Sequence, residues 1–312
     1  MIDSGREPIL LSKYVWVIET IHRQGRISFN ELNDKWKRDE AISFGEDLAK
    51  RTLNRWISAI QDTFGIIIEN ENRGEYRYYI YNEDALSGKD IQAWLYNSIC
   101  VSNALVSSVG VKDRILLEDV PSGQKYLSAI IDAMKENRLL TITYQSYRKD
   151  TQSTFDVQPY CVKLFRQRWY LVAQSTDAFY QENGPRTYAL DRIAKLEVKD
   201  DTFQMPKDWH ADEYFEACFG IIADKNIEPQ NIKLKVSAYQ AKYLRDLRLH
   251  WTQDEPVQEA EYSIFRCRVR PTYDFLQELL WNGEAIEVLE PLELRQKIAD
   301  IIKRMSQKYN DL

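Results

Sequence analysis

Residues 168–173 read Arg168-Trp169-Tyr170-Leu171-Val172-Ala173, and residues 186–193 read Arg186-Thr187-Tyr188-Ala189-Leu190-Asp191-Arg192-Ile193. Both stretches are short, rich in aromatic and aliphatic residues and free of internal Gly or Pro, which is the composition of strands. Alternation divides the first of them: Trp169 and Leu171 share one face, Tyr170 and Val172 the other, and one of these faces must be core. Strand signals flank the pair at 140–144, 157–162 and 196–198, behind a helix carrying Leu127, Ile130, Ile131 and Met134. Five short strands separated by polar turns predict a small, strongly bent antiparallel barrel, whose closure would remove exposed edges.

Outward toward the C-terminus, the pattern breaks at Met205-Pro206-Lys207 and resumes with strands at 232–236, 262–269 and 286–288. Between and after them run helical stripes through Ala241, Tyr243, Leu244 and Leu247, then over 273–281 and 292–309. The order β-α-β-α-β-α predicts a ferredoxin-like α+β layer. Residues 201–312 carry 15 basic and 20 acidic side chains, a balance that suits regulation or dimer contact better than a DNA surface.

Outward toward the N-terminus, residues 83–124 read as helical linkage, with Ile91, Trp94, Leu95, Ile99 and Leu105 on one stripe and Ile115-Leu116-Leu117 beyond a break. That stripe needs a cover, either the same chain or a second copy. Before it, Tyr14, Val15, Val17, Ile18 and Ile21 recur at helical spacing and stop at Gly25. Ser28-Phe29-Asn30-Glu31 has the form of a capping box opening a short second helix through Leu32 and Trp36. A third helix carries Leu48, Leu53, Trp56, Ile57 and Ile60 and ends near Phe64-Gly65; Ile66 to Ile68, a polar turn and Tyr76, Tyr78 and Ile80 then read as a hairpin. Three helices and a hairpin describe a winged helix-turn-helix over residues 1–82. A recognition helix needs one face for its support and another that offers donors to phosphates and base edges. Lys50, Arg51, Thr52, Asn54 and Arg55 supply that second face, and Arg73 sits in the hairpin turn. The competing reading is a merely solvated basic face; the capped helix before it and the hairpin after it favour DNA contact.

The whole chain has 312 residues, 42 basic against 48 acidic, and 44% hydrophobic residues, as expected of several folded domains. No run of about 18 apolar residues occurs and the N-terminus lacks a signal-peptide pattern, so a cytoplasmic protein with no membrane partner is expected. Cys100, Cys161, Cys218 and Cys267 are scattered and only three histidines are present, which argues against a zinc site. There is no Walker A loop, HExxH, GxSxG or Cys–His pairing, so neither enzyme chemistry nor a cofactor is expected.

The barrel segment, with Trp169-Tyr170-Leu171 followed by Arg186, Tyr188, Leu190, Asp191, Arg192 and Ile193, resembles the WYL domain in both halves of its signature, and residues from about 213 onward resemble the extension that follows such domains. The resemblance covers nearly the whole chain. It implies a bacterial or phage transcriptional regulator with four segments: a winged helix-turn-helix (1–82), a helical linker (83–124), an Sm-like, SH3-type barrel that senses a ligand (125–204) and a C-terminal extension (205–312). The implied effector is a nucleic acid or nucleotide. That chemistry calls for guanidinium groups on rigid strands and stacking aromatics. Tyr144, Arg168, Tyr170, Arg186, Tyr188 and Arg192 are the candidates. Trp169 and Leu171 are expected to pack, and the competing role for Arg192 is a salt bridge with Asp156 or Asp191. Operator DNA read by a homodimer is the expected partner, since one winged module supplies few specific contacts. The alternative is an accessory sensor that binds a nucleotide or single-stranded nucleic acid without specific duplex binding.

Overall fold

The computed structural model describes residues 6–71, 73–88, 90–107, 114–116, 123–147, 149–181 and 184–309. The chain is mixed α+β and forms two compact units, residues 1–118 and 119–312. Leu117, part of the linker stretch beyond its break, and Pro121 and Ser122, where the sequence pattern breaks again as at a joint, lie outside the described residues, as does the side chain of Leu105.

In the first unit α1 (Arg6–Gln24) is followed by α2 (Phe29–Arg38), a single turn α3 (Glu40–Ser43) and α4 (Lys50–Phe64). The capping box at α2 is formed: the Glu31 amide donates to Ser28 Oγ at 3.3 Å and the Ser28 amide donates to Glu31 Oε2 at 2.8 Å. Gly65 ends α4 in the left-handed conformation with φ 66°. Strands β1 (Ile68–Asn70) and β2 (Tyr78–Ile80) pair antiparallel, and an isolated bridge from Ile27 to Tyr78 ties this hairpin back to the turn after α1. The core is aromatic: Trp36 lies 5.1 Å from Trp16 and 5.4 Å from Trp56, ring centre to ring centre. The indole of Trp16 donates to Asp39 at 2.8 Å.

Helix α5 (Ile91–Ser107) packs in cis on this core, but not with the stripe expected from the sequence. Ala93 and Tyr96 are buried, Tyr96 edge-on to Phe64 at 5.9 Å, with Ile99 and Cys100 partly buried beside them, whereas Ile91, Trp94 and Leu95 face outward. An apolar helix with no charged side chain along its length offers several possible stripes, and only the shape of the receiving surface selects one.

The second unit opens with α6 (Leu127–Lys135), then β3 (Arg138–Tyr144), β4 (Ser153–Phe165), β5 (Arg168–Ser175), a turn of helix α7 (Ala178–Gln181), β6 (Arg186–Ala189) and β7 (Ile193–Thr202). These strands form one antiparallel sheet in the order β6-β5-β4-β3-β7. Leu171, Ala173, Leu140, Ile142 and Val157 face the core together with Ile130 of α6, and Trp169 packs against it. Pro159 is tolerated in the central strand β4 because the register against β5 slips between Pro159 and Cys161.

After α8 (Ala211–Phe215) the chain forms β8 (Gln230–Ser237), α9 (Ala238–Asp246), β9 (Asp254–Gln258), β10 (Tyr262–Val269), α10 (Tyr273–Trp281), β11 (Ile286–Glu290) and α11 (Leu292–Gln307). The sheet order is β11-β8-β10-β9, all antiparallel. Strand β9 is one more than the sequence predicts. Asp254-Glu255-Pro256-Val257-Gln258 has the acids and the proline of a loop, and an edge strand admits them because it needs a ladder on one side only. The end of β4 seats this segment: Lys163 Nζ donates to the Gly220 carbonyl at 2.6 Å, and Phe165 meets Phe219 edge-on at 6.0 Å.

Candidate functional site

Helix α4 divides its faces as an interface helix does. Leu53, Trp56, Ile60 and Phe64 are buried; Lys50, Arg51, Asn54 and Arg55 are exposed and Thr52 is half-buried. Its first turn inverts the usual charge preference. Helix α2 opens with Glu31 and closes with Lys35, Lys37 and Arg38, complementing its dipole, whereas α4 opens with Lys50 and Arg51, has no acid in its first turn and no side-chain cap from Ala49. Among the described residues Lys50, Arg51, Arg55 and Arg73 make no ion pair. Two neighbouring cations are neutralised in cis, Arg26 of the turn after α1 by Glu71 and Arg77 of the hairpin by Glu75. Among the described residues of this unit α4 thus carries three unpaired cations and the hairpin turn one, Arg73, while Lys13 on α1 and Lys35 and Arg38 on α2 are likewise in no ion pair.

In the second unit, antiparallel pairing of Tyr170 with Ala189 carries the chain after Ala189 back alongside the residues before Tyr170. Arg168 thereby meets Asp191, in the single turn Leu190–Arg192, and the two form an ion pair with side-chain exposures of 28% and 13%. The pair is only half engaged: Arg168 Nε and Asp191 Oδ1 are buried and carry no hydrogen bond among the described residues. Pairing of Tyr144 with Ile193 brings the end of β3 to the same turn. There the Gln145 amide donates to the Arg192 carbonyl at 3.1 Å, and Arg192 Nε returns a hydrogen bond to the Gln145 carbonyl at 2.9 Å. The Arg192 guanidinium lies 3.6 Å from the ring centre of Tyr147, which is 82% exposed, and 4.9 Å from that of Tyr144. The amide of Ala189 donates to the Tyr144 hydroxyl at 3.3 Å.

Four of the six ligand candidates thus come together: Tyr144, Arg168, Tyr170 and Arg192. Tyr170 is buried on the Arg168 side of its strand, and its phenol is pushed above its ordinary pKa by burial. Tyr188 touches the group from beneath, within the core under this sheet, edge-on to Tyr144 at 5.2 Å and tilted against Phe155 at 5.6 Å. Arg186 is not brought to the cluster: it stands exposed opposite Ala173, five residues along β5 from Arg168. Arg192 pairs with neither carboxylate expected for it. Asp191 is taken by Arg168, and Asp156 by Lys199 at 2.9 Å and the Thr141 hydroxyl. Gln145, Tyr147 and Asp191 complete the cluster. Asp191 was visible only as a partner, and the turn residues had no local pattern to mark them.

Residues 125–198 match the WYL domain and residues 228–306 match the WCX domain. The chain thus carries a WYL domain followed by a WCX domain. No curated protein matches it. Among solved structures, Proteasome accessory factor B/C (PafBC) of Arthrobacter aurescens is 19% identical, with a TM-score of 0.34; the match covers 95% of this chain and 46% of that one, so the chain spans less than half of PafBC's length. A CRISPR Cas-related protein is 11% identical, with 100% and 87% of the two chains covered and a TM-score of 0.41. No helix among the described residues is long and apolar enough to cross a membrane. Burial pushes the thiols of Cys100 and Cys161 up to about 11 and that of Cys267 to about 12, so these three are held as neutral thiols at pH 7.

The WYL domain's site turn is braced from behind by Gly123. Its φ is +70°, and a Cβ placed there would lie 2.5 Å from the Asp191 amide and 2.7 Å from Leu190 Cβ. Only glycine satisfies both the left-handed backbone and the close approach. Gly123→Ala is expected to destabilise the second unit by about 2 kcal/mol or more and to shift the 190–192 turn; a melting curve matching wild type would refute this.

Proposed function

We propose that this protein is a ligand-responsive, sequence-specific DNA-binding transcriptional regulator of the bacterial cytoplasm, acting as a homodimer and without a cofactor or catalytic activity. The first 82 residues are read as the winged helix-turn-helix, 83–124 as the linker, 125–204 as the WYL sensor and 205–312 as the C-terminal extension. Two topologies support the domain assignments. A helix followed by five strands in the order 4-3-2-1-5 suits an Sm-like barrel. A βαββαβ run with sheet order 4-1-3-2 suits a ferredoxin-like extension.

The observation that carries the function is the uncompensated cationic face of α4, where Arg51, Asn54 and Arg55 stand together on a helix whose other face is fully buried. Arginine and asparagine are the side chains that read guanine and adenine bidentately, and Lys50 and Arg73 suit phosphates. The effector reading rests on the half-engaged Arg168–Asp191 pair and on the Arg192–Tyr147 stack. A phosphate competes with Asp191 for Arg168, and a base stacks on the exposed Tyr147 ring. Displacing Asp191 moves a turn that packs directly on Gly123, where the chain arrives from the first unit. Linkage then requires only that the ligand bind one placement of the turn better than the other.

The test is binding of the full chain to duplex DNA from its own upstream region, at two salt concentrations, with and without a short single-stranded oligonucleotide. Specific binding that weakens steeply with salt and responds to the oligonucleotide is expected. Oligonucleotide binding with no specific duplex binding at either salt concentration would instead establish an accessory sensor, a reading favoured by the near-neutral balance of 12 basic and 13 acidic residues over 1–82.

A further inference from the structure

The acid surplus of the C-terminal segment conceals a local asymmetry. Leu234, Phe265, Cys267 and Val288 of its sheet pack against Leu244, Phe275, Leu279 and Leu294 of the helices, so the alternate residues of β8 and β10 face away from the helical layer. Cross-strand register sets Lys233 opposite Arg266 and Asn231 opposite Arg268. Directly opposed cations destabilise a sheet, and neither arginine has a carboxylate within ion-pair reach among the described residues; only Lys233 is paired, to Glu290 at 3.3 Å. These side chains line a cavity of about 520 Å³ that Thr252, Asp254 and Glu290 close at the sides. Thr252 Oγ1 accepts the Arg268 amide at 2.9 Å and so fixes the backbone of the second arginine. The ladders slip on both flanks at this same row, between Ile264 and Arg266 against β9 and between Val288 and Glu290 against β11. Irregularities of this kind re-aim side chains and concentrate beside sites.

We propose that this open sheet face is a second ligand site, separate from the barrel cluster, and that it takes a compact phosphate-bearing metabolite with hydroxyl groups. Arg266 and Arg268 project from alternate positions of one rigid strand and suit the oxygens of one phosphate. Asp254 and Glu290 on the two sides accept hydrogen bonds from hydroxyls and repel the next phosphate of a polymer. The lining contains no aromatic ring on which a base could stack, which further separates it from the Tyr147 platform.

The experiment is a titration of the isotope-labelled full chain with ribose 5-phosphate, followed by amide resonances, with no duplex DNA present, so its outcome is independent of the regulator reading. Resonances of Asn231, Arg266 and Arg268 are expected to move. Arg266→Gln with Arg268→Gln is expected to weaken the apparent affinity at least about tenfold, with an unchanged fold by circular dichroism. Lys303→Gln with Arg304→Gln, an equal loss of two charges on α11, is expected to leave it unchanged. Shifts confined to residues 144–147 and 190–192, or an affinity unaltered by the double substitution, would overturn the site. A thymidine oligonucleotide that moves the sheet resonances more strongly than the sugar phosphate would overturn the small-molecule assignment.

Discussion

On the proposed function, replacing Arg51 and Arg55 together by alanine is expected to lower specific duplex affinity by roughly 30-fold to 10⁴-fold per half-site, because each side chain in contact with a base edge or phosphate would contribute about 1–3 kcal/mol. If both reach phosphates, the slope of log affinity against log salt also falls by about 2 per protomer. The folded state is nearly indifferent to the change: both side chains are exposed on α4, neither is ion-paired among the described residues, and the buried stripe of Leu53, Trp56, Ile60 and Phe64 is untouched. Stability is expected to stay within about 0.5 kcal/mol of wild type. Anisotropy titrations at two salt concentrations, with a melting curve as control, measure both quantities. Undiminished binding to the operator would remove α4 as the reading element and direct attention to the hairpin.

The second large effect separates two arginines that the sequence presents alike. Arg168→Ala leaves Asp191, 13% exposed, without its cation, and is expected to cost about 3 kcal/mol, mostly the penalty of an unpaired buried carboxylate. Arg168→Ala combined with Asp191→Ala recovers most of that loss, which a double-mutant cycle by chemical denaturation reads directly. Arg192→Gln removes the hydrogen bond to the Gln145 carbonyl and the stack on an exposed tyrosine, for about 1 kcal/mol. On the proposed function its larger expected consequence is loss of the response of duplex binding to the single-stranded oligonucleotide, with basal affinity retained. An intact response in the Arg192 variant would move the effector off this cluster. Equal stability losses in Arg168→Ala and in the double variant would show that the pair does not hold the turn.

Much of this architecture is local and was therefore legible from residues close in sequence. The capping box at Ser28 and Glu31 spans three residues, the buried stripe of α4 follows the 3.6 period, and the alternation of Trp169 and Leu171 against Tyr170 follows the period of two. Each is decided by neighbours within a turn or a strand. The site is different, because its members come from chain segments brought together by register. Arg186 and Arg192 sit six residues apart in one motif, yet only Arg192 enters the cluster, since pairing of Tyr170 with Ala189 places the 190–192 turn beside Arg168 and leaves Arg186 opposite Ala173. Tyr147, in a turn with no periodicity, enters through its stack with Arg192. Strand β9 forms because β10 offers it an edge, and α5 buries Tyr96 in place of Trp94 because Phe64 stands where the helix lands. Sequence determined most of the helices and strands and their apolar faces, because those preferences act within a few residues; the tertiary structure decided the edge strand β9, the buried face of α5 and which charges meet, because an ion pair or a hydrogen bond exists only where the closed chain places its two ends within about 3 Å.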